Sequence, residues 1–169
     1  MTGKPTFERI VTMHGSTVLR VCRAVVGAAD ADDAWSETFL SAMRAYPDLP
    51  ADANIEAWLV TIAHRKAIDV TRQTARRPIP MAIPPDAATV IDDHQLGADM
   101  HLAVALQQLP PKQRQAVAYH YLGGLPYAEV AAIIGGNPNA ARRAAADAIA
   151  SLRRTYVGAA AMRGEIDEH

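Results

Sequence analysis

Apolar side chains recur every three or four positions along the first segment of the chain, which is the spacing of one helix face. These positions are Phe7, Ile10, Val11, Val18, Val21, Cys22 and Val25. Gly27 follows them, and because glycine commonly ends a helix, the pattern predicts a helix that stops there. Cys22 lies among apolar residues, so we expect a buried, reduced thiol rather than a reactive one.

Two further helices are predicted before residue 77. Asp30 is a suitable N-cap for the second helix, whose apolar face comprises Trp35, Phe39, Ala42, Met43 and Tyr46. Residues 47–54 contain two prolines and several short polar side chains, which predict a loop. A third helix is expected from Ile55 to about Ala75, with Trp58 as a core residue rather than a stacking platform.

Residues 78–101 differ from the rest of the chain in composition. They contain four prolines, four aspartates and no lysine or arginine, with weak periodicity. This composition predicts an extended acidic tether. The tether separates a first module, residues 1–77, from a second module, residues 102–157, which is followed by a short tail, residues 158–169.

The second module contains several short predicted helices. Leu102, Leu106 and Leu109 indicate one that stops at two prolines, and the next should end at Gly123 and Gly124. A helix over 127–134 is followed by the pair Gly135 and Gly136, and Asn137 then caps a last helix that runs to about Tyr156. Small residues at Ala131 and Gly135 allow two helices to cross steeply, which predicts a helix-turn-helix.

Composition and charge limit the fold classes and the kinds of function that fit the sequence. Aromatic residues make up 5% and alanine is abundant, which favours an all-α fold. The net charge is -1, but residues 110–157 carry 6 Lys and Arg against 2 Asp and Glu. A basic second module is compatible with nucleic acid. The absence of a signal peptide and of a long apolar run leads us to expect a cytoplasmic protein with no membrane partner.

No motif in the sequence indicates a catalytic site. The six histidines are scattered without metal-ligand spacing, and there is no glycine-rich phosphate loop. We therefore expect no enzyme activity, no catalytic residues, no metal and no cofactor.

The last helix carries the candidate DNA contacts. Its predicted outward positions near the N-terminus are Asn137, Asn139, Arg142 and Arg143. Arginine can bond guanine O6 and N7, asparagine can bond adenine N6 and N7, and a helix N-terminus favours phosphate. The alternative is that the two arginines only solvate an exposed helix face.

A family resemblance supports the DNA-binding interpretation. Residues 109–154, "LPPKQRQAVAYHYLGGLPYAEVAAIIGGNPNAARRAAADAIASLRR", resemble the region that recognises the promoter -35 element in bacterial sigma factors of the extracytoplasmic-function (ECF) group. Shared features, in order, are Leu-Pro-Pro with Gln113 and Arg114, Tyr-Leu-x-Gly-Leu at 121–125, Tyr-Ala-Glu-Val-Ala at 127–131, and Gly135.

The first module resembles the same group independently. Residues 30–46, "DADDAWSETFLSAMRAY", are similar to the segment that binds the clamp helices of core RNA polymerase, which implies that Asp33 and Glu37 form this contact. Residues 55–77 resemble the helix that faces the promoter -10 element. The resemblance implies that Asn54 helps to hold a flipped base and that basic residues hold phosphates, namely Arg65, Lys66, Arg72, Arg76 and Arg77.

The resemblance thus implies an all-α sigma factor with a region 2-like and a region 4-like module joined by an acidic linker. Its implied partners are core RNA polymerase, promoter DNA and, where one exists, an anti-sigma factor. The chain departs from the family at Ala140–Ala144, where members commonly have Thr-Val-Lys/Arg-Ser-Arg, and at Asp147, where they have a basic residue. We therefore expect weak -35 recognition. Two alternatives remain: an adaptor that binds polymerase without recognising a promoter, and a polymerase-independent dimeric repressor, which gives no reason for the acidic second helix.

Overall fold

The computed structural model describes residues 3–76 and 101–164, and every regular element in these two ranges is helical. The helices are α1 (Phe7–Val26), α2 (Ala28–Ala45), α3 (Ile55–Arg76), α4 (101–107), α5 (Pro111–Val117), α6 (Tyr127–Ile134) and α7 (Pro138–Gly164). A 3₁₀ turn, Tyr46–Asp48, follows α2, and a π turn, Ala118–Leu122, follows α5. The predicted all-α fold is confirmed. Of the predicted tether, only residue 101 lies within the described residues, and it is helical.

Local capping sets the first helix boundaries. The Thr6 hydroxyl accepts a hydrogen bond from the Arg9 amide at 3.3 Å, and α1 ends at Gly27, which has φ +87°. The prediction that Asp30 caps α2 is wrong, because α2 begins at Ala28, directly after Gly27. Asp30 instead lies in the first turn of α2, where its carboxylate still faces the positive end of the helix dipole.

Helices α1, α2 and α3 enclose an apolar core of their own. Its buried residues are Ile10, Val18, Cys22, Ala31, Ala34, Phe39, Ala42, Leu59, Ile62 and Ala63. Aromatic rings extend this core: the Trp35 and Phe39 rings lie 4.7 Å apart and the Tyr46 and Trp58 rings 6.2 Å apart. The predictions that Trp58 belongs to the core and that Cys22 is buried are confirmed.

Met43 departs from the predicted apolar face of α2, because 51% of its surface is exposed. A helix turns by about 100° per residue. Met43 therefore lies about 100° from its neighbour Ala42, which is fully buried, and faces away from the core. Helical spacing places Met43 at the edge of the apolar face of α2. The packing of α1 and α3 against that face leaves this edge exposed to solvent.

The second module is built on small side chains. Its buried residues include Ala116, Ala118, Ala131, Ala141, Ala145 and Ala148, packed around Leu106, Leu125 and Val130. The helix predicted to end at Gly123 does so, but its last turn is a π turn closed by a hydrogen bond from Gly123 N to Ala118 O at 2.9 Å. A Cβ at Gly123 would lie 2.7 Å from the Tyr119 carbonyl oxygen, so only glycine fits. Helix α7 extends beyond the predicted end, to Gly164.

The two modules share a second apolar core, which the sequence did not predict. Val21, Ala24 and Val25 of α1 and Ala57, Val60 and Ala67 of α3 pack against the buried residues of the second module. Tyr119, which is fully buried, hydrogen-bonds through its hydroxyl to Nδ1 of His64 at 2.6 Å. The contact therefore joins α3 to the π turn across 55 residues of chain.

Polar side chains of the second module also cap the end of α1. The last carbonyls of a helix have no partner within it. Gln107 donates to the Ala24 carbonyl at 2.9 Å, and Arg114 donates to the Val25 carbonyl at 3.2 Å. The same guanidinium donates to the carbonyls of Leu106, Gln107 and Leu109. Arg114 thus ties α1 to the α4–α5 connection.

Candidate nucleic-acid interface

Helices α6 and α7 form the predicted helix-turn-helix. Gly135 and Gly136 connect them with φ values of +91° and +88°, which only glycine adopts without strain. Ala131 is buried at the crossing, and Ala141, Ala145 and Ala148 bury the inner face of α7. The predicted helix-turn-helix geometry is confirmed.

The four candidate contacts of α7 are all exposed, as expected, but they are not equivalent. The side-chain oxygen of Asn137 accepts from the Ala140 amide at 2.8 Å, so it caps the helix and leaves only the amide NH₂ to donate outward. The side-chain oxygen of Asn139 accepts from Arg142 at 3.3 Å. Arg142 and Arg143 therefore carry most of the donor capacity of this face.

Three aromatic residues beside this face were not among the predicted contacts. The His120 and Tyr127 rings are stacked 3.8 Å apart at 15°, and Tyr121 lies edge-on to His120 at 4.7 Å. The guanidinium carbon of Arg142 lies 5.2 Å from the centre of the Tyr127 ring. Sequence spacing could not find this group, because its members come from the π turn and α6 and the arginine that they contact comes from α7.

The basic residues of α3 separate into two groups. Arg65 and Arg72 are exposed and seven positions apart, so they lie on the same side of the helix. Lys66 is half-buried and lies in a groove between α2 and α3, away from that side. The side chains of Arg76 and Arg77 lie outside the described residues. The Asn54 oxygen accepts from the Ala57 amide at 3.1 Å and so caps α3.

The groove that contains Lys66 is acidic. Its volume is about 460 Å³, and its charged lining residues are Asp30, Asp33, Glu37, Lys66 and Asp69. The predicted partner contacts, Asp33 and Glu37, are therefore brought together on one exposed edge. Leu40 follows them on the same helix stripe and Met43 lies beside it, with exposures of 44% and 51%. Helical spacing in the sequence did not predict that these two apolar side chains are exposed.

The described residues offer little for other chemistry. Within 3–76 and 101–164, no three His, Cys, Asp or Glu side chains are grouped so that they could hold a metal ion. Burial raises the pKa of the Cys22 thiol to about 12, so the thiol stays protonated at neutral pH. No described helix combines the length and the apolarity needed to cross a bilayer.

Comparisons with known proteins identify the two modules. The sequence family "Sigma-70 region 2" matches residues 10–77, and "Sigma-70, region 4" matches residues 100–152. The RNA polymerase sigma factor CarQ of Myxococcus xanthus is 34% identical over 145 residues, which cover 83% of both chains. The ECF RNA polymerase sigma factor SigE of Mycolicibacterium smegmatis is 30% identical over 142 residues, and the match covers 78% of this chain and 54% of SigE.

A solved structure has the same fold. The sigma factor RpoE of Bartonella quintana, in a co-crystal with the anti-sigma factor NepR, superimposes with a TM-score of 0.69, covering 88% of this chain and 94% of RpoE at 20% identity. The matched regions occur in the same order as the two modules described above. The chain therefore belongs to the sigma-70 family, in the ECF group of sigma factors.

Proposed function

We propose that the chain binds bacterial core RNA polymerase, directs it to promoters and helps to melt the -10 element. The observation that carries the proposal is a separation of charge between two exposed faces on a chain of this family. Arg142 and Arg143 lie on the helix-turn-helix, and Asp33 and Glu37 lie on α2. A basic face suits DNA phosphates, whereas an acidic face suits a basic protein surface.

The polymerase contact is proposed for the outer stripe of α2. Asp33 and Glu37 supply negative charge, and Leu40 and Met43 supply exposed apolar surface beside it. An apolar centre flanked by charged residues is a common arrangement in protein interfaces. We therefore add Leu40 and Met43 to the proposed contact, with the acids setting orientation and association rate.

The -10 contact is proposed for α3 and the loop before it. Arg65 and Arg72 share one exposed side of the helix and would hold phosphates, together with Arg76 and Arg77 beyond them. The free NH₂ of Asn54 would donate to a flipped base, because its oxygen is used by the helix cap. Lys66 remains in the proposed set, although its acidic surroundings make it the weakest member.

The family also suggests a role for the acidic segment between the modules and one further partner. Residues 78–101 carry only acidic charge among Lys, Arg, Asp and Glu, and we propose that this segment occupies a nucleic-acid path within polymerase. RpoE was solved with the anti-sigma factor NepR, and an anti-sigma factor is accordingly a proposed partner of this chain.

A second candidate function is an adaptor that binds polymerase with weak or no -35 recognition. The observation that favours it is the composition of α7, where the exposed Ala140 and Ala146 and the partly buried Ala144 stand at positions from which longer side chains could reach bases. Alanine can contact a thymine methyl group but cannot donate or accept through its side chain.

The test is gel-filtration co-elution of the full chain with bacterial core RNA polymerase. We expect the wild type to co-elute and the double variant Asp33→Arg/Glu37→Arg to lose co-elution, because the acidic stripe becomes basic. The matched control is Glu8→Arg/Asp147→Arg, which makes the same change in net charge at two exposed acids on other faces and should co-elute normally.

Transcription by the reconstituted holoenzyme separates the two candidates. A sigma factor starts transcripts at defined promoters, whereas an adaptor co-elutes but starts none. If the wild type does not co-elute with polymerase, both candidates are wrong and a free DNA-binding regulator becomes the better explanation.

A further inference from the structure

The group formed by His120, Tyr121 and Tyr127, which we call the aromatic stack, lies on the surface beside the start of α7. Tyr121 is 56% exposed, and His120 and Tyr127 are half-buried. The module core lies beneath it and is filled by other residues, among them Leu125, Val130 and Ala131. Tyr127 packs against this core from its half-buried side, whereas Tyr121 projects into solvent.

One hydrogen bond and two ring contacts hold the stack together. Nδ1 of His120 lies 2.7 Å from the Leu125 carbonyl oxygen, and since a carbonyl can only accept, Nδ1 must carry a proton and donate. This bond fixes the ring plane against which Tyr127 stacks. Tyr121 packs edge-on against the same imidazole at 4.7 Å, and burial raises the pKa of Tyr127.

Arg142 rests on the stack. Its guanidinium carbon lies 5.2 Å from the centre of the Tyr127 ring, a cation–π geometry. A second contact, to the Asn139 side-chain oxygen at 3.3 Å, restrains the same group from the side. The side chain of Arg143, the next residue, is exposed and forms no hydrogen bond or ion pair with other residues in the described ranges. The two arginines therefore differ in how far they are ordered before any partner binds.

Ordering matters because a guanidinium recognises guanine through two parallel hydrogen bonds, to O6 and N7, and this requires a fixed plane. A side chain already restrained loses less conformational freedom on binding. With few other polar side chains in the N-terminal half of α7, one well-oriented arginine can dominate base discrimination.

We propose that Tyr127, held by His120 and Tyr121, is the positioning residue for Arg142, and that Arg142 recognises a guanine in the -35 element. Asn139 assists by restraining the guanidinium instead of contacting adenine itself. Arg143 contributes a phosphate contact that is independent of sequence. The proposal rests on the proposed sigma-factor function and adds to it the base that is recognised and the residues that orient the contact.

The experiment measures transcription by reconstituted holoenzyme from a promoter library with a randomised -35 element. We expect the wild type to prefer guanine at one position by about tenfold, the discrimination typical of a bidentate arginine contact. Arg142→Ala should abolish that preference. Tyr127→Leu should reduce it severalfold at the same position, whereas Tyr127→Phe, which keeps the ring, should retain most of it.

The controls separate positioning from folding. Arg143→Ala should lower transcription from all library members alike and leave the guanine preference unchanged. His120→Ala removes the support of Tyr127 without changing Tyr127 itself, and should weaken the preference even if Tyr127→Leu folds poorly by circular dichroism.

Two results overturn the proposal while leaving the sigma-factor function intact. One is a holoenzyme that starts transcription without any guanine preference in the -35 element. The other is a preference that disappears in Arg142→Ala but is unchanged in both folded Tyr127→Leu and His120→Ala. Failure of the wild type to bind polymerase instead removes both proposals, so the two kinds of failure are distinguishable.

Discussion

The two modules bury different kinds of side chain. The first has a separate core in which Ile10, Phe39, Leu59 and Ile62 pack with four alanines, and Trp and Tyr rings extend it. The second packs its helices mainly through alanines, and its largest buried side chain, Tyr119, reaches His64 of α3. Apolar burial stabilises in proportion to area, and alanine buries little. The second module therefore depends on the first for part of its stability, and the first depends less on the second.

This asymmetry has a consequence for the proposed function. The -10 and -35 elements lie about 25 base pairs apart, or about 85 Å at 3.4 Å per base pair. A compact chain of this length is only about 40 Å across. A sigma factor that contacts both elements must therefore separate its modules, and the shared core determines how much this separation costs.

The largest expected effect comes from core truncations in the two modules. Phe39→Ala and Tyr119→Ala should each lose about 3–5 kcal/mol of stability, the usual cost of removing a buried aromatic ring. Both tryptophans, Trp35 and Trp58, lie in the first module, so their fluorescence reports on that module during urea unfolding, whereas circular dichroism reports on all helices. Phe39→Ala should shift both signals together.

Tyr119→Ala should separate the two signals. Circular dichroism should fall at lower urea, as the second module unfolds, while the fluorescence transition stays near that of the wild type. Coincident transitions in both variants would mean that the two modules depend on each other equally, contrary to the asymmetry proposed here.

A smaller effect is expected at Arg114, which connects the modules through backbone carbonyls. Arg114→Ala should cost about 2 kcal/mol in urea unfolding, because hydrogen bonds from a charged donor are lost and the end of α1 is left uncapped. Arg114→Lys should recover little, since an ammonium cannot span the carbonyls that the planar guanidinium reaches.

Lys112 provides the comparison for this prediction, because it lies on the same helix and is exposed. Lys112→Ala should change stability by less than about 0.5 kcal/mol. Equal effects at the two positions would show that the carbonyl contacts of Arg114 add nothing beyond helix surface charge.

The features that the sequence predicted are those encoded locally. Helix ends at Gly27 and Gly123, the cap at Asn137 and the turn at Gly135 each depend on a few neighbouring residues, and all are confirmed. The outward orientation of Arg142 and Arg143 also follows from helical spacing. The wrong N-cap at Asp30 is a local error, since Gly27 is the single non-helical residue between α1 and α2 and therefore occupies the N-cap position itself.

The contacts between distant segments could not be predicted in this way. In the sequence, Arg114 stands out only as part of the family motif at Leu-Pro-Pro, and helical spacing does not single out His64 or Tyr119. Their contacts depend on how α3 and the π turn meet, 55 residues apart, which periodicity does not encode. The same limit applies to the stacking of His120 on Tyr127, because an unexpected π turn presents His120 to α6.

The smallest expected effect is a pH dependence at the His64–Tyr119 contact. Burial, with a further contribution from the charge of Arg65, lowers the pKa of His64 below its usual value of 6.5. The unfolded chain then binds more protons than the folded chain below about pH 6.5, so the free energy of unfolding should decrease as the pH falls through that range. Tyr119 does not titrate there, because burial raises the pKa of its hydroxyl.

The measurement is urea unfolding at pH 7.5 and pH 5.5 for the wild type and His64→Gln. At pH 7.5 the variant should be less stable by about 1 kcal/mol, because one hydrogen bond is lost. It should then lose less stability than the wild type on acidification, because glutamine does not titrate, so the gap narrows at pH 5.5. A gap that stays constant at pH 5.5 would mean that His64 is protonated as easily in the folded as in the unfolded chain, and that the shared core is open enough to hydrate it. A gap that widens would mean that the folded chain binds this proton more readily than the unfolded chain, which contradicts the prediction.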